Sequence, residues 1–337
     1  MSTLTEVEPD AWDGLLAELG LTDVYLRREY LESASLLGQG RPVFLHHRGS
    51  FGSVVFPALV REARDGYADI GTPMGYGGPV AAGDDPPVGA FFDAYEEWCV
   101  ENGAVATFVR FHPLLANQRL ADGRWHLDQI GHSIAWRIEG RDPDALLEAM
   151  DAHHRRVVRK ARRAGVEVTP AIGPDELGGF VALYRETMRR RGASPFYFFS
   201  EEYWLHLANG LGDALLRFDA YEDGELAGSI LCLASPPFLH YHLGASSERG
   251  QSLGANHVLF CDTAAWASAH GFTHFHLGGG VGGFEDSLYE FKRRFDPGSR
   301  LPAVLGKKVH DVEAYLLLSG ADAVDYAGYF PAYRQTT

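Results

Sequence analysis

The spacing of hydrophobic and polar residues divides the first half of the chain into short helical and extended segments. Apolar residues at helical spacing predict two helices, and β-rich apolar runs then predict two strands around a turn at residues 48–50. A glycine-rich loop at residues 71–79 separates these strands from a further helix and strand. The approximate bounds of the six segments are 11–20, 27–37, 42–47, 52–61, 87–102 and 104–110. This half is expected to form one mixed α/β unit.

The second half begins after a hydrophilic link at residues 139–144, whose proline and acidic residues suit a helix start. The predicted order is a basic helix ended by Gly165, a strand, two helices, three strands, a helix and a last strand. After the basic helix, the predicted helices are residues 175–191, one that begins at Ser200, and 255–270. The predicted strands are residues 166–169, two that flank the turn at 222–225, 238–243 and 274–277.

Two of these strands have nearly the same sequence, His-Tyr-His-Leu-Gly at residues 240–244 and His-Phe-His-Leu-Gly at residues 274–278. A helix connects them, which predicts two parallel strands whose glycines end at the same edge of the sheet. Ligands usually bind at that edge in open α/β sheets. The histidines could bind a metal, but no cysteine partner or helical histidine pair accompanies them, and strand histidines more often form hydrogen bonds.

Composition narrows the class of protein. A chain of 337 residues with 46% hydrophobic and 22% charged residues is an ordinary globular sequence that is long enough for two domains. We expect it to be cytoplasmic, because it shows no secretory leader and no apolar run near the ~20 residues of a membrane span. Cys99, Cys232 and Cys261 are too few and too scattered for a disulfide framework or a cysteine metal site.

The net charge of −15 argues against a surface that is basic everywhere, but residues 153–163 hold six positive charges. Val157, Ala161 and Ala164 give this segment a narrow apolar stripe, and no glutamate interrupts the arginines. A solvated helix is one interpretation. Binding of phosphate groups is the other, because arginines on one face form paired hydrogen bonds to phosphate and release counterions.

Lysine is rare in this chain, and one of its four lysines stands at an unusual position. Lys292 lies one helical turn after Leu288, so its ammonium group is expected on the apolar side of a short helix. Burial of an ammonium group costs free energy, so a lysine at such a position is expected to have a function. Lys292 is therefore the first catalytic candidate.

The glycine run at residues 278–283 leaves two interpretations open. It fits the G-x-G-x-x-G pattern after a strand and before a helix, as in dinucleotide sites, but no further βαβ repeat follows it. A strained active-site turn with backbone amides able to donate is the favoured alternative. No Gly-x-Ser-x-Gly elbow is present, which argues against a serine hydrolase.

Taken in order, these features resemble the Fem (FemABX) family of aminoacyl-tRNA-dependent transferases and their tandem-GNAT relatives. The matching segments are Thr-Pro-Met-Gly-Tyr-Gly-Gly-Pro at 72–79, Arg-Phe-His-Pro at 110–113, the basic helix leading to 165–168, the two histidine strands, and Phe-Lys-Arg-Arg-Phe at 291–295. They extend over most of residues 40–300.

The resemblance implies two GNAT-like (acyl-CoA N-acyltransferase) domains of α/β (α+β) class in tandem, with a cleft between them. The expected domains are residues 1–145 and 146–314, with residues 315–337 packing back on the first. No long heptad run is present, so the chain resembles the short members without a coiled-coil arm. The implied reaction joins an amino acid from charged tRNA to an acceptor amine, without a cofactor or a metal.

The resemblance also implies roles for particular side chains. Lys292, with Phe291 beside it, would stabilise the developing oxyanion or hold the end of the tRNA, while Tyr76, Tyr197, Tyr241 and Arg189 would contact substrate. The positive charges expected to hold the tRNA backbone are Arg155, Arg156, Arg159, Lys160 and Arg163. Each tyrosine could instead be a packing residue. A general base, the amino acid, the oligomeric state and the acceptor are not specified, although a peptidoglycan precursor or a peptide antibiotic intermediate would suit.

Two rival functions remain at this point. One is an acyl-CoA N-acyltransferase of the same fold, whose pyrophosphate loop would be residues 249–255, where Ser252 replaces the central glycine of the usual motif. The other is a regulator that binds tRNA or a peptide and whose active site is no longer functional.

Overall fold

The chain forms a mixed α/β structure in a computed structural model that describes residues 4–174 and 176–335. We number its strands in chain order. They are β1 Leu4–Glu6, β2 Arg41–Arg48, β3 Phe51–Glu62, β4 Ala68–Gly71, β5 Val80–Asp85, β6 Ala104–Arg110, β7 His126–Arg137, β8 Glu167–Ile172, β9 Leu215–Glu222, β10 Glu225–Ser235, β11 Phe238–Ser246, β12 His274–Gly278 and β13 Arg300–Val309.

The α-helices of the described residues are short, and the longest has 15 residues. They are α1 Trp12–Glu18, α2 Arg28–Ser35, α3 Val88–Glu101, α4 Pro143–Ala149, α5 Ala152–Arg163, α6 Gly178–Arg190, α7 Glu201–Leu211, α8 Glu248–Leu253, α9 Ala255–Ala269, α10 Ser287–Arg293 and α11 Val312–Ser319. None of these helices is long and apolar enough to cross a membrane.

The chain divides into two compact units. Unit 1 consists of Met1–Ile130 and Pro302–Thr337, and unit 2 consists of Gly131–Leu301. These bounds differ from the expected division after residue 145, because the end of β7 pairs with β12 through residues 134–137. They also differ from the division expected after residue 314, because β13 pairs with β6 and so joins unit 1.

Unit 1 is built on a sheet with the strand order β1-β2-β3-β4-β6-β13, and β5 also pairs with β3. Strands β4 and β6 are parallel, whereas β2, β3 and β13 run antiparallel to their neighbours. Three groups of buried apolar residues fill its interior. One of them joins α11 and Phe330 to β6, so the C-terminal segment packs within this unit.

Unit 2 is built on a sheet with the order β7-β12-β11-β10-β9-β8. Only the pair β11 and β12 is parallel, and α9 connects these two strands. Trp136, Phe260, Phe275 and Tyr289 are among the largest members of a single buried core that α9 and the sheet share. Helix α9 is apolar on every side, which agrees with its position between the sheet and α5.

The two histidine strands are parallel, as predicted, and they pair with a shift of two residues relative to their matching sequences. His240 pairs with His276 rather than with His274, so Gly244 and Gly278 do not lie opposite each other. Beyond this pair the strands separate. The end of β11 pairs only with β10, whereas Gly278 of β12 pairs with Ile134. The end of β12 is therefore open on the side that faces the end of β11.

Most predicted segments match the structure within a few residues, and the α/β class is confirmed. Five strands were not predicted, namely β1, β4, β5, β7 and β13. The stripe expected along α5 is also rotated, because His154, Val158 and Ala161 are its buried residues while Ala164 is exposed. The rotation follows from His154, whose ring reaches the backbone of α10.

A close approach between α8 and β10 gives a test of the fold of unit 2. A Cβ atom at Gly250 would overlap the carbonyl oxygen of Ala227, which belongs to the rigid backbone of β10. We expect Gly250→Ala to lower the free energy of unfolding by about 2–4 kcal/mol in denaturant titrations. Gly178→Ala is the matched control, because no described atom lies within 4 Å of its Cβ and its backbone is helical. That variant should change stability by no more than about 1 kcal/mol, and equal effects would contradict the close approach.

Candidate functional site

The Lys292 side chain is buried at the end of β12. Helix α10 carries it inward, leaving 5% of the residue exposed. Its Nζ donates a hydrogen bond of 2.7 Å to the carbonyl oxygen of Gly279, the residue that follows β12. The same nitrogen lies 5.2 Å from the centre of the Tyr241 ring on β11. The structure thus brings together two of the predicted site residues, Lys292 and Tyr241, where β11 and β12 have separated.

Burial changes the acidity of this lysine. Removal from water lowers the pKa of Lys292 to about 7, and the negative charge of Asp286 only partly opposes this effect. The side chain can therefore exchange between its charged and neutral forms near neutral pH. Such a perturbed group at a strand end is typical of a catalytic site rather than of a packing residue.

The glycine loop between β12 and α10 is organised by Asp286, a residue that sequence reasoning missed. Its carboxylate accepts hydrogen bonds from the amides of Tyr289, at 2.9 Å, and Val281, at 3.1 Å. Burial opposes ionisation of Asp286, but these backbone hydrogen bonds prevail and hold its carboxyl pKa below the usual value. A Cβ atom at Gly280 would overlap Asp286 and the Phe284 carbonyl, so this position requires glycine. Its place before an apolar turn is an N-cap signal that could have identified Asp286.

The amides of the glycine loop are largely used within the loop itself. Val281 donates to Asp286, Gly283 to the Gly280 carbonyl, and Phe284 to the Val281 carbonyl. The prediction that the amides of this turn are available to a ligand is therefore wrong for these three. A carboxylate at the helix start also disfavours a dinucleotide pyrophosphate there, so the G-x-G-x-x-G interpretation does not fit the structure.

Phe291 does not share the surroundings of Lys292. Its ring packs among His154, His257, Phe260 and Phe295 at centroid distances of 5.1–5.7 Å. Its carbonyl oxygen accepts a hydrogen bond from Nε2 of His154 at 3.0 Å. The structure therefore places Phe291 in the aromatic packing that holds α10, and Phe260 connects this packing to the Tyr241 ring beside Lys292.

Tyr184 is a buried tyrosine of α6 whose ring packs among Phe180, Phe199 and Trp204. Burial raises the pKa of Tyr184, and electrostatic interactions with Tyr241 and Tyr197 raise it further. Among the described residues, no hydrogen-bond partner reaches the buried Tyr184 hydroxyl. Tyr184 was not predicted, because a tyrosine on the apolar side of α6 has the pattern of a core residue.

Tyr197 lies in a short aromatic segment that is open to solvent. It is half-buried within the turn Pro195–Tyr197, while the neighbouring Phe196 and Phe198 are 47% and 39% exposed. Its ring contacts Phe196 edge-on at 5.3 Å. Tyr197 thus stands between an exposed aromatic surface and the buried tyrosines.

The arginine predicted to contact substrate, Arg189, is not the one that the structure places at β11. Arg189 is exposed, and within residues 4–174 and 176–335 it forms no hydrogen bond or ion pair with the site. Arg190 instead donates a hydrogen bond of 2.6 Å to the Ser246 carbonyl on β11. Burial raises the pKa of Tyr241, and the positive charge of Arg191 partly opposes this rise. Sequence alone did not separate the three.

Tyr76 belongs to unit 1. Its ring contacts Tyr25 at 5.4 Å and His112 at 5.6 Å, both edge-on, and it is half-buried in the predicted glycine loop. Burial raises the pKa of its hydroxyl, which the positive charge of Arg110 partly opposes. These contacts fit a residue that braces its loop, and a role in substrate binding stays a prediction.

The six charges of α5 fall into two rows. Arg155 and Arg159 form ion pairs with Glu148, at 3.6 and 3.0 Å, and Arg162 pairs with Asp262 at 2.5 Å. Arg156, Lys160 and Arg163 recur at the same helical spacing on the next row and are exposed. Among the described residues, none of these three has a carboxylate partner. Half of the predicted cluster is therefore neutralised, and an unpaired row of three cations remains.

The loop considered for an acyl-CoA pyrophosphate holds its arginine in another interaction. Arg249 donates to Glu222 at 2.5 Å, and the Ser247 hydroxyl accepts from the Gly250 amide at 3.0 Å. The Ser252 hydroxyl donates to the Arg249 carbonyl at 2.7 Å. A glutamate at this position would repel a pyrophosphate, so the local geometry does not favour this rival.

The strand histidines take part in hydrogen bonds. The Nδ1 atoms of His240 and His276 are 3.1 Å apart, and Nε2 of His276 lies 3.0 Å from the Ser133 hydroxyl. His242 Nε2 lies 3.1 Å from the Tyr203 hydroxyl. This arrangement corresponds to the hydrogen-bonding interpretation that the sequence favoured over a metal site.

Comparisons with known proteins agree with this geometry. Residues 149–293, which make up most of unit 2, match the acetyltransferase (GNAT) domain family. A stretch of 86 residues is 35% identical to aminoacyltransferase FemB of Staphylococcus epidermidis. That stretch covers 26% of this chain and 20% of FemB, so the match spans about a fifth of the length of that relative.

Two solved structures share the fold over nearly the whole chain. The crystal structure of FemX gives a TM-score of 0.69 at 14% identity and covers 93% of this chain and 99% of FemX. A tandem GNAT protein from the clavulanic acid biosynthesis pathway gives 0.54 at 10% identity, covering 92% of this chain and 99% of that protein. The predicted tandem GNAT-like fold is thereby confirmed, and with the local match to FemB these findings confirm the resemblance of the chain to the Fem family.

Proposed function

We propose that this protein is an aminoacyl-tRNA-dependent aminoacyltransferase that forms a peptide bond on an acceptor amine. The observation that carries the proposal is the buried Lys292, held against the Gly279 carbonyl and the Tyr241 ring at the end of β12. The GNAT-type unit around it and the local likeness to aminoacyltransferase FemB support acyl transfer as the reaction class.

The chemistry needs little more than alignment and charge stabilisation. The acceptor amine attacks the ester carbonyl that links the amino acid to the 3′ oxygen of the tRNA, and a C–N bond forms while the ester C–O bond breaks. The amine loses a proton and the 3′ oxygen gains one, so the exchange is balanced. The ammonium of Lys292 would stabilise the oxyanion of the tetrahedral intermediate, and the dry surroundings would strengthen that interaction.

The tyrosines suit the substrate side of this reaction. The Tyr241 ring lies beside Lys292, Tyr184 interacts electrostatically with both Tyr241 and Tyr197, and Tyr197 neighbours the exposed Phe196 and Phe198. Aromatic side chains of this kind provide apolar contact together with hydrogen bonds that orient a bound group. We assign Tyr184, Tyr197 and Tyr241 to contacts with the aminoacyl group or the acceptor.

Two features favour charged tRNA over acyl-CoA as the donor. The row Arg156, Lys160 and Arg163 offers three unpaired cations to a phosphate backbone, although the chain carries a net charge of −15. The loop at Arg249 is occupied by Glu222, which leaves no arginine there for a pyrophosphate. The acceptor is assigned only by chemistry, as a peptide-like amine of a peptidoglycan precursor or of a peptide antibiotic intermediate.

A cytoplasmic reaction fits this assignment. Charged tRNA is a cytoplasmic substrate, and Cys99, Cys232 and Cys261 are buried and unpaired, as expected in a reducing compartment.

Replacement of Lys292 tests the proposed catalytic group. We expect Lys292→Ala to lower kcat/KM for transfer from radiolabelled bulk aminoacyl-tRNA to a pool of peptide amines by roughly 100- to 1000-fold. The affinity for charged tRNA should change by no more than about twofold, because the residue acts on the transition state. Lys308→Met, which removes a half-buried lysine paired with Glu96 in unit 1, is the control. Undiminished transfer by Lys292→Ala would exclude Lys292 as the catalytic group.

The burial of Lys292 also predicts a change in stability. Lys292→Met removes an ammonium group from the interior, so the free energy of unfolding at pH 6 should rise by on the order of 1 kcal/mol. In the folded parent the pKa is about 7, below that of the unfolded chain, so the parent gains stability as pH rises from about 7 toward 10. The advantage of the variant should shrink over this range. Denaturant titrations at pH 6, 8 and 9.5 measure it, and a constant difference would contradict the lowered pKa.

The two rows of α5 provide a charge-matched test of tRNA binding. Arg156→Gln, Lys160→Gln and Arg163→Gln together should weaken tRNA binding and make the log–log salt slope shallower by roughly 2–3. The control combines Arg155→Gln, Arg159→Gln and Arg162→Gln, which removes the same charge from the paired row and should have a much smaller effect. Filter retention at several salt concentrations, with uncharged tRNA and acetyl-CoA as competitors, measures both. If the two triple variants weaken tRNA binding equally, the unpaired row has no special role in binding tRNA.

A further inference from the structure

Three histidines come together behind the aromatic cluster of Phe291. His153 and His154 lie in the first turn of α5, and His257 lies in the first turn of α9. One nitrogen atom from each ring lies within 4.8 Å of the other two. The rings of His154 and His257 meet edge-on at 4.5 Å. The sequence gave no sign of this group, because about a hundred residues separate its members.

The His154 ring is oriented as a metal ligand would be. Its Nε2 donates to the Phe291 carbonyl at 3.0 Å, which leaves Nδ1 as the nitrogen with a lone pair. A second ring nitrogen bonded to a backbone carbonyl is the usual arrangement that fixes a histidine ligand. Among the described residues, Nδ1 of His154 is buried with no hydrogen bond, and the nearest carboxylate oxygen is that of Asp151 at 3.7 Å.

The His257 ring repeats this condition. Its Nδ1 is likewise buried and has no hydrogen bond within the described part of the chain. Burial lowers the pKa of His154 to about 4 and that of His257 to about 3, so both rings are in the neutral form that binds metal ions. Buried nitrogen atoms without partners are rare in folded proteins and commonly mark an ion or a water molecule.

We propose that His153, His154 and His257 form a site for a divalent transition metal, with zinc as the best match. Three imidazole nitrogens are a common zinc ligand set, and a fourth position would be taken by water or by Asp151. Tetrahedral zinc places its ligand nitrogens about 3.4 Å apart. The histidine nitrogens now lie within 4.8 Å of one another, so they need to approach each other by roughly 1 Å. His153 is exposed and can make most of this movement.

The charges around the group affect this site in opposite directions. The Arg156 guanidinium donates to Nδ1 of His153 at 3.2 Å, so His153 would coordinate through Nε2, or through Nδ1 once Arg156 has turned away. Arg156 is exposed, so it can turn into solvent. The Asp151 carboxylate caps α5 and lies 3.6 Å from Arg294, and it supplies a negative charge next to the ligand nitrogens. The ion would join α5 and α9 and, through His154, the backbone of α10.

Metal titration of tag-free protein tests the site directly. Co²⁺ should bind in a one-to-one ratio with the intense visible absorption of a tetrahedral complex, and Zn²⁺ should displace it. Competition with a chromogenic chelator gives the Zn²⁺ affinity. His153→Ala and His257→Ala should each weaken Zn²⁺ binding at least about tenfold, since each removes one of three ligands. His270→Ala, at an exposed histidine just beyond α9, should leave it unchanged.

The outcomes separate this site from the proposed transferase activity, because the measurement involves neither tRNA nor an acceptor. Circular dichroism in the presence of a chelator verifies that each variant is folded. His154→Gln adds a second test, since glutamine can still donate to the Phe291 carbonyl but lacks the ligand nitrogen. Absence of one-to-one binding, or binding that His153→Ala and His257→Ala leave unchanged, would overturn the proposal. An equal loss of Zn²⁺ affinity in these variants and in His270→Ala would also overturn it.

Discussion

The hydrogen bond between the Lys292 ammonium and the Gly279 carbonyl is the interaction around which the second unit is arranged. A charged group in an apolar interior needs a partner, and here a backbone carbonyl provides it just after β12. The carbonyl is in position because the strand ends in glycines and the loop returns to Asp286. Helix α10, the loop and the strand end therefore depend on one another, and the burial of the lysine among them lowers its pKa to about 7.

The elements of the fold were largely predictable because their periodicity is local. Strands β1, β4, β5, β7 and β13 were missed, because β1 and β4 have only three and four residues and the other three lack a clear alternation. For the site, Lys292 was predictable from its spacing to Leu288 on one short helix. Tyr184 and Arg191 were not, because nothing in the sequence of α6 and of the residue that follows it shows which side chains interact with Tyr241.

The basic helix shows why a count of charges is not a description of a surface. Its six cations appear equivalent in the sequence, yet the fold neutralises one row and leaves the other unpaired. Glu148 lies just before the helix, whereas Asp262 is a hundred residues away on α9, and only the packing of α5 on α9 brings it to Arg162. Because a phosphate backbone competes with any carboxylate already bound, the unpaired row is the effective positive surface.

The position of Lys292 is determined at both ends of its helix by residues that do not touch the ammonium group. Asp286 fixes the start of α10 through the Tyr289 amide, and His154 fixes its last turn through the Phe291 carbonyl. The distance of 5.2 Å between Nζ and the Tyr241 ring is therefore set by a carboxylate and an imidazole on opposite sides of the helix. Oxyanion stabilisation depends on distances of a few tenths of an ångström. Substitutions of Asp286 or His154 should therefore impair the reaction although Lys292 itself is unchanged, because they displace its ammonium group.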